Sequence, residues 1–311
     1  MKIILKILIK SLLYTSPIWI LFIYLEVGLS KIENTYSYKM RNFENKGRDC
    51  VVLVLGNSEI LKGVNPEYMH LPAYNMAHVS QNYVLDEQIL KKLILQMPRL
   101  KYVLLGVSYI SFGDDLQSGE EAWRLAFYRK HYRLDFDSPF DIKDVSNVFR
   151  YTPYESLKLF SQNFNSNLVN GLQPTGWMKT DDCESKDTTA EFSIAQASRH
   201  TQALKEENIS KNIMALRNIL SMLKKKGVRP ILVRTPVMQN YYTHLNALWM
   251  NKNDSLLAVI NSEFSLDILD FSKCNESTDP SLKNGFNDVN HLNLEGSRHL
   301  AKLICDEISG Q

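Results

Sequence analysis

From Ser11 to Leu25 the chain carries no charged side chain, and Ile3 to Ile9 extends the apolar run, broken by Lys6 and followed by Lys10. About 20 helical residues, each rising about 1.5 Å, are enough to cross the hydrocarbon core of a bilayer. The stretch from Ile7 to Leu25 meets that length if Lys10 extends its amine back toward the headgroups. Tyr14, Trp19 and Tyr24 suit a membrane–water interface, and Pro17 is tolerated in a spanning helix. The rival reading is a cleaved signal peptide. The run is long for one, and Val27-Gly28-Leu29-Ser30 is a poor substitute for a small-x-small cleavage site. The expectation is therefore an uncleaved single-pass anchor over residues 1–29, in the cell membrane. Lys2, Lys6 and Lys10 precede it, while Lys31, Lys39, Arg41, Lys46 and Arg48 follow, so the positive-inside count does not orient it. A long domain translocates largely regardless of charge, which favours a cytoplasmic N-terminus and an extracytoplasmic domain.

The formal charge of +2 belongs to the same region. Residues 1–30 hold three lysines against Glu26, which leaves 33 basic and 33 acidic side chains in residues 31–311. A nucleic-acid partner is not expected without a basic stripe, and a polyanion gains no bulk attraction. With 44% hydrophobic residues over 311 positions, the chain can bury a large core. Cys50, Cys183, Cys274 and Cys305 show no C-x-x-C spacing, and neither a metal site nor a phosphate-binding glycine loop is present in the sequence. Cys50 and Cys305 read as core thiols; a Cys183–Cys274 bridge stays open. No cofactor is expected.

Residues 30–49 are polar and aperiodic and read as a stem. Val51 to Leu55 is a β-branched run of the kind found in a central parallel strand. Tyr83 to Met97 has helical spacing, Lys101 to Val107 is a second buried strand, and Asn208 to Lys226 is a helix ending in Gly227. Val228–Val233, a helix over Ser255–Phe264, a strand over Leu266–Leu269 and a helix over Leu294–Ile308 follow. This alternation predicts an α/β fold with a parallel sheet over residues 50–308. The span of about 112–200, rich in Trp, Tyr and Phe, breaks the rhythm and reads as an insertion over the face of the sheet.

Two stretches carry possible chemistry. Gly56-Asn57-Ser58-Glu59 follows the first strand, where parallel sheets bind ligands. Asp288-Val289-Asn290-His291 precedes the last helix; a carboxylate three residues ahead of a His can fix its tautomer, and the His can take a proton from a serine. The bland alternatives are a turn serine and a helix cap. Gly56-Asn57-Ser58 resembles the GDS block of the SGNH/GDSL hydrolase-like superfamily, with Asn57 where Asp is usual. Asp288 to His291 resembles its D-x-x-H block, and His291-Leu292-Asn293-Leu294-Glu295-Gly296-Ser297 its H-L-N-x-x-G-[SA] ending.

The resemblance covers about residues 50–110 and 205–308 and extends to membrane-anchored cell-envelope polysaccharide O-acyltransferase and esterase relatives. It implies a flavodoxin-like three-layer α/β/α sandwich, with Ser58 as nucleophile, His291 as base and Asp288 as its orienter. Ser80 then stands at the position of a glycine whose amide faces the oxyanion, and Ser108 replaces the Asn donor of a G-x-N-D block. The implied activity is transfer or hydrolysis of an O-acyl group, acetyl first, on a carbohydrate or polysaccharide, with room for a membrane-borne acyl donor. The departures at Asn57 and Ser108 support a competing expectation, a non-catalytic binding or scaffold subunit of the same fold in polysaccharide assembly. His200, Trp123 and Arg124 are further substrate-contact candidates by residue type, since aromatic faces and guanidinium forks suit polyols.

Overall fold

A computed structural model describes residues 2–136, 141–164, 169, 171–179 and 188–309. In chain order the principal elements are α1 (Lys2–Ser30), α2 (Thr35–Asn45), β1 (Val52–Leu55), α3 (Ser58–Gly63), β2 (Ala73–Asn75), α4 (Tyr83–Leu93) and β3 (Tyr102–Gly106). They continue with α5 (Pro153–Ser161), α6 (Ala190–Ala203), α7 (Ile209–Lys226), β4 (Arg229–Arg234), α8 (Gln239–His244), α9 (Ala247–Phe264), β5 (Asp267–Asp270) and α10 (Leu294–Ser309). They form two compact units: Met1–Tyr38 with Arg124–Asn170, and Lys39–Trp123 with Gly171–Gln311. The aromatic-rich span read from sequence as one insertion is thus divided between them.

The second unit holds a five-stranded sheet in the order β2-β1-β3-β4-β5, every pair parallel. Val52, Leu53, Val54 and Leu55 are all fully buried, which is why β1 is an unbroken apolar run and not an alternating one. Strand side chains alternate between faces. Val52, Val54, Leu104, Ile231 and Val233 share one face, packed with Ile60 and Leu61 of α3 and with Leu300, Ala301 and Ile304 of α10. Right-handed crossovers put α4, α7 and α9 on the opposite face, because those connections step along the sheet in the other direction from β1-α3-β2. Leu216, Ile219, Leu220 and Leu223 of α7 are buried there. Gly227 ends α7 at φ +67, as its position after three lysines predicts.

Two departures from the sequence reading have physical causes. The supposed stem contains α2, whose polar composition hides a buried face: Phe43 and Lys39 are both completely buried. Phe43 meets Tyr74 edge-on at 5.6 Å, and the Lys39 amine donates to the carbonyls of Asn75 and Ala77. β2 is only three residues long and gives too short a pattern to read. Boundaries elsewhere shift by a residue or two, except that α4 ends at Leu93 and gives way to a 3-10 turn over Ile94–Gln96, and α9 begins at Ala247 under an Asn246 cap.

In the first unit, α1 contains a candidate membrane span, Ile3–Ser30, with mean hydropathy 1.6 over its best window and none of that window buried. Tyr36, Phe127, Tyr128 and Tyr132 are buried and pack ring on ring, Tyr36 lying 5.3 Å from Phe127 and 4.9 Å from Tyr128. These aromatics build a core. Cys50, Cys274 and Cys305 are free thiols; Cys183, and with it the suggested bridge, lies outside the described residues.

Candidate active site

The strand order places a switch point between β1 and β3, where a crevice opens beyond the strands' carboxyl ends. Gly56, directly after β1, has φ +129, and a Cβ there would lie 3.1 Å from the Gly106 backbone and 2.9 Å from Ile60 Cγ2. Only glycine fits. Its amide donates to the Asp86 carboxylate, and its carbonyl accepts from the His78 amide at 3.1 Å. Asn57 then caps α3, its Oδ1 accepting from the Glu59 amide at 3.1 Å. Ser58 opens the helix, half-buried.

The second turn is built from its own residues. Asp288 Oδ1 accepts from the amides of Asn290 (3.1 Å) and His291 (3.0 Å), and His291 Nδ1 lies 2.9 and 2.8 Å from the two carboxylate oxygens. The loop closes on itself through Asn287 N–H to the His291 carbonyl, and Asn293 caps α10. Asp288 therefore does not cap that helix. With the carboxylate accepting at Nδ1, the ring's proton sits there and Nε2 is an acceptor. Nε2 lies 2.9 Å from Ser58 Oγ. Burial would raise the Asp288 carboxyl, but the hydrogen bond and charge of His291, the Asn290 amide and Lys62 outweigh it and hold the group below its ordinary value. The carboxylate stays charged and can stabilise an imidazolium. Fold and site together define an α/β protein with a hydrogen-bonded Ser–His–Asp series beyond the carboxyl ends of a parallel sheet.

The remaining sequence candidates fare differently. Ser108 follows β3 beside the serine turn: its Oγ accepts from Asn57 Nδ2 at 2.7 Å and lies 3.2 Å from Ser111 Oγ. Asn57 is thus occupied at both ends of its amide. Ser80 occupies the third position of a turn closed by Gln81 N–H to the His78 carbonyl, with φ +57, a conformation that favours glycine. His200 is hydrogen-bonded at both ring nitrogens, Nδ1 to Tyr241 Oη at 2.6 Å and Nε2 to Gln196 Nε2 at 3.1 Å. Burial, with the charges of Arg199 and His291, pushes its pKa down to about 3, so the ring is neutral. Tyr241 also lines a cavity of about 140 Å³ with Glu59, Ser108, Thr235 and Arg234. Trp123 is half-exposed; neither it nor Arg124 lines this cavity or the small one beside Gly56 and Asn57.

Several residues that shape the site gave no sequence signal. Asn75 is fully buried, donating to the carbonyls of Ile60, Leu61 and Val64 and accepting from the Ala77 amide. Asp86 is held by Gln81 at 2.6 Å, and burial pushes its pKa up to about 7. Glu59 accepts from Asn290 Nδ2 at 3.2 Å, tying the serine turn to the histidine turn; burial raises its pKa to about 7 as well. A buried carboxyl is a statement about tertiary neighbours, which a lone Asp or Glu in sequence does not make. Among the described residues no cluster of His, Cys, Asp and Glu forms a metal site. Compared with models of known protein families and with curated proteins, the chain matches none.

Proposed function

We propose that the protein is a membrane-anchored serine O-acyltransferase or esterase of the SGNH/GDSL hydrolase-like superfamily. Its substrate would be an O-acyl group, acetyl first, on a cell-envelope or exported polysaccharide. One observation carries this reading: Ser58 Oγ, His291 Nε2 and Asp288 stand in hydrogen-bonded series at 2.9 and 2.8 Å. Ser58 Oγ attacks the acyl carbonyl while its proton passes to His291 Nε2. The donor's leaving oxygen takes that proton as its bond to the acyl carbon breaks. An acceptor hydroxyl, or water, then gives its proton to Nε2 and attacks the acyl-enzyme, and Ser58 leaves reprotonated. The 2-1-3-4-5 parallel order supports the flavodoxin-like sandwich that the sequence motifs imply. An uncleaved anchor is supported by the C-terminal end of α1, where Leu29 is buried and Glu26 accepts four hydrogen bonds from Ser146, Asn147 and Val148. The domain then faces outward, with the polysaccharide.

The test is to treat the detergent-solubilised full chain with an activated acetyl ester. The expected result is a mass gain of about 42 Da, one acetyl, on the peptide containing Ser58. Equal ester turnover by wild type and Ser58→Ala would sink the proposal. A second reading, a non-catalytic subunit of the same fold, draws on Ser108, whose hydroxyl is engaged by Asn57 and Ser111 where an oxyanion donor is wanted. Losing one such donor costs about 2.7–4 kcal/mol of transition-state stabilisation. On that reading no adduct forms, and Ser58→Ala leaves polysaccharide acetylation in cells unchanged.

A further inference from the structure

In a water-soluble unit, short surface helices turn polar side chains outward and apolar ones inward. Residues 142–160 instead turn a run of large apolar side chains outward. Ile142, Val145, Phe149, Tyr154, Leu157 and Phe160 are between 42% and 74% exposed. Ser146, Asn147 and Ser156 of the same stretch are buried, while Lys143, Glu155 and Lys158 share its exposed side. Arg150 donates to the carbonyls of Lys143 and Asp144 and to Asn147 Oδ1, with its guanidinium over the Phe127 ring, and Asp144 pairs with Arg129. Helix α5 is apolar on two sides: Leu159 is buried against Leu29 and Ile32, while Leu157 faces out.

This outward apolar surface is continuous with α1. The Phe149 ring lies 6.0 Å from Phe22, and Phe160 lies 6.0 Å from Tyr24. Gly28 lets the Phe164 ring close on the helix backbone, since a Cβ there would sit 2.2 Å from that ring. Glu26, a carboxylate within the candidate span, finds its donors in Ser146, Asn147 and Val148. A charge at membrane depth needs such partners. The stretch therefore lies alongside the last turns of the span, around Phe22 to Glu26.

We propose that residues 142–160 are a second membrane contact, an interfacial shelf embedded in the headgroup–acyl boundary of the bilayer that α1 crosses. Its occupant is lipid: the large outward side chains are apolar, the stretch touches the spanning helix directly, and the exposed Lys143 and Lys158 have stems long enough to carry their amines to the headgroups. The inference rests on α1 residing in a bilayer, so the test includes the helix itself. The full chain, with Cys183 and Cys274 replaced by serine, is spin-labelled in nanodiscs at one of four positions: Leu157→Cys, Tyr154→Cys, Leu21→Cys in α1, or Leu248→Cys on α9 as an aqueous reference. All four side chains are more than half exposed, so the label opens no cavity.

Collision with molecular oxygen, which partitions into lipid, is compared with collision with a water-soluble nickel chelate. The expected result is oxygen-rich, nickel-poor behaviour at 21, 154 and 157, with an oxygen-to-nickel ratio several-fold above that at 248. Nickel access at 154 and 157 with lipid-like values at 21 overturns the shelf and leaves the anchor standing. Exclusion of both reagents at 154 and 157 also overturns it, because a protein partner then covers the surface. Nickel access at 21 removes the anchor and the shelf together.

Discussion

In the turn that carries Ser58, Gly56 is fixed by Asp86 and His78, far along the chain. In the turn that carries His291, the hydrogen bonds that set the ring and close the loop come from Asp288 and Asn287 within it, while Asn290 to Glu59 and Met238 to Val289 dock the loop on the rest. The first geometry exists only once β2 and α4 are in place; in the second, the contacts that orient the imidazole are local. The Ser58 turn leaves β1 through a glycine at positive φ and is held by residues distant in sequence. A histidine needs only its tautomer and direction, which one neighbouring carboxylate supplies.

Damage to the two turns should therefore read out differently. Asp288→Asn presents an amide to His291 Nδ1 and favours the wrong tautomer; a roughly 10⁴-fold loss in ester turnover is expected, with the melting temperature nearly unchanged. Turnover equal to wild type would show that the histidine turn is only structural. Gly56→Ala strikes the borrowed support: the positive φ and the contact with Gly106 together should cost about 3 kcal/mol in a urea titration. Asn75→Ala removes the donor to the Leu61 and Val64 carbonyls and one of two donors to the Ile60 carbonyl, and a loss of about 2 kcal/mol is expected by the same measurement. If Asn75→Ala proved neutral, the claim that the serine turn leans on β2 would fail.

The carboxyls give a subtler probe. Glu59 and Asp86 sit at about 7 in the folded protein against ordinary values of 4.5 and 3.8. Between those limits the folded state binds more protons than the unfolded one. Stability should then fall as pH rises toward 7, by at most about 1.4 kcal/mol per pH unit for each group, and level off above it. Glu59→Gln should flatten that slope; an unchanged profile would mean that Glu59 titrates normally. The smallest effect belongs to Ser80. Ser80→Gly should change stability by less than about 1 kcal/mol, whereas Ser80→Val, β-branched at positive φ, should cost more than Ser80→Gly gains or loses.

The same contrast explains what was legible in the sequence. Val52–Leu55, α7 with its Gly227 cap and the D-x-x-H turn are local patterns, and each could be placed from residues close together. Ser58 could be placed because it follows a readable strand. What fixes it could not: Asp86 lies inside an amphipathic helix like any surface acid, and Asn75 sits on a strand too short to show a period. The stem was misread for a related reason. Lys39 in α2 has the composition of a solvated residue, and only the carbonyls it meets make it a core group.

That lysine has a practical consequence for anyone who severs the chain from its apolar N-terminal helix. A fragment begun at Cys50 looks natural, since the first strand follows at once. It would remove Phe43 from the Tyr74 ring, strip the Tyr74 hydroxyl of its acceptor on the Lys39 carbonyl, and leave the Asn75 and Ala77 carbonyls without the buried amine. Those carbonyls belong to the segment that continues to His78 and so to Gly56. A cut meant to keep the α/β unit intact therefore belongs ahead of Thr35, and a protease that clips after α2 would weaken the support of the Ser58 turn without touching Ser58.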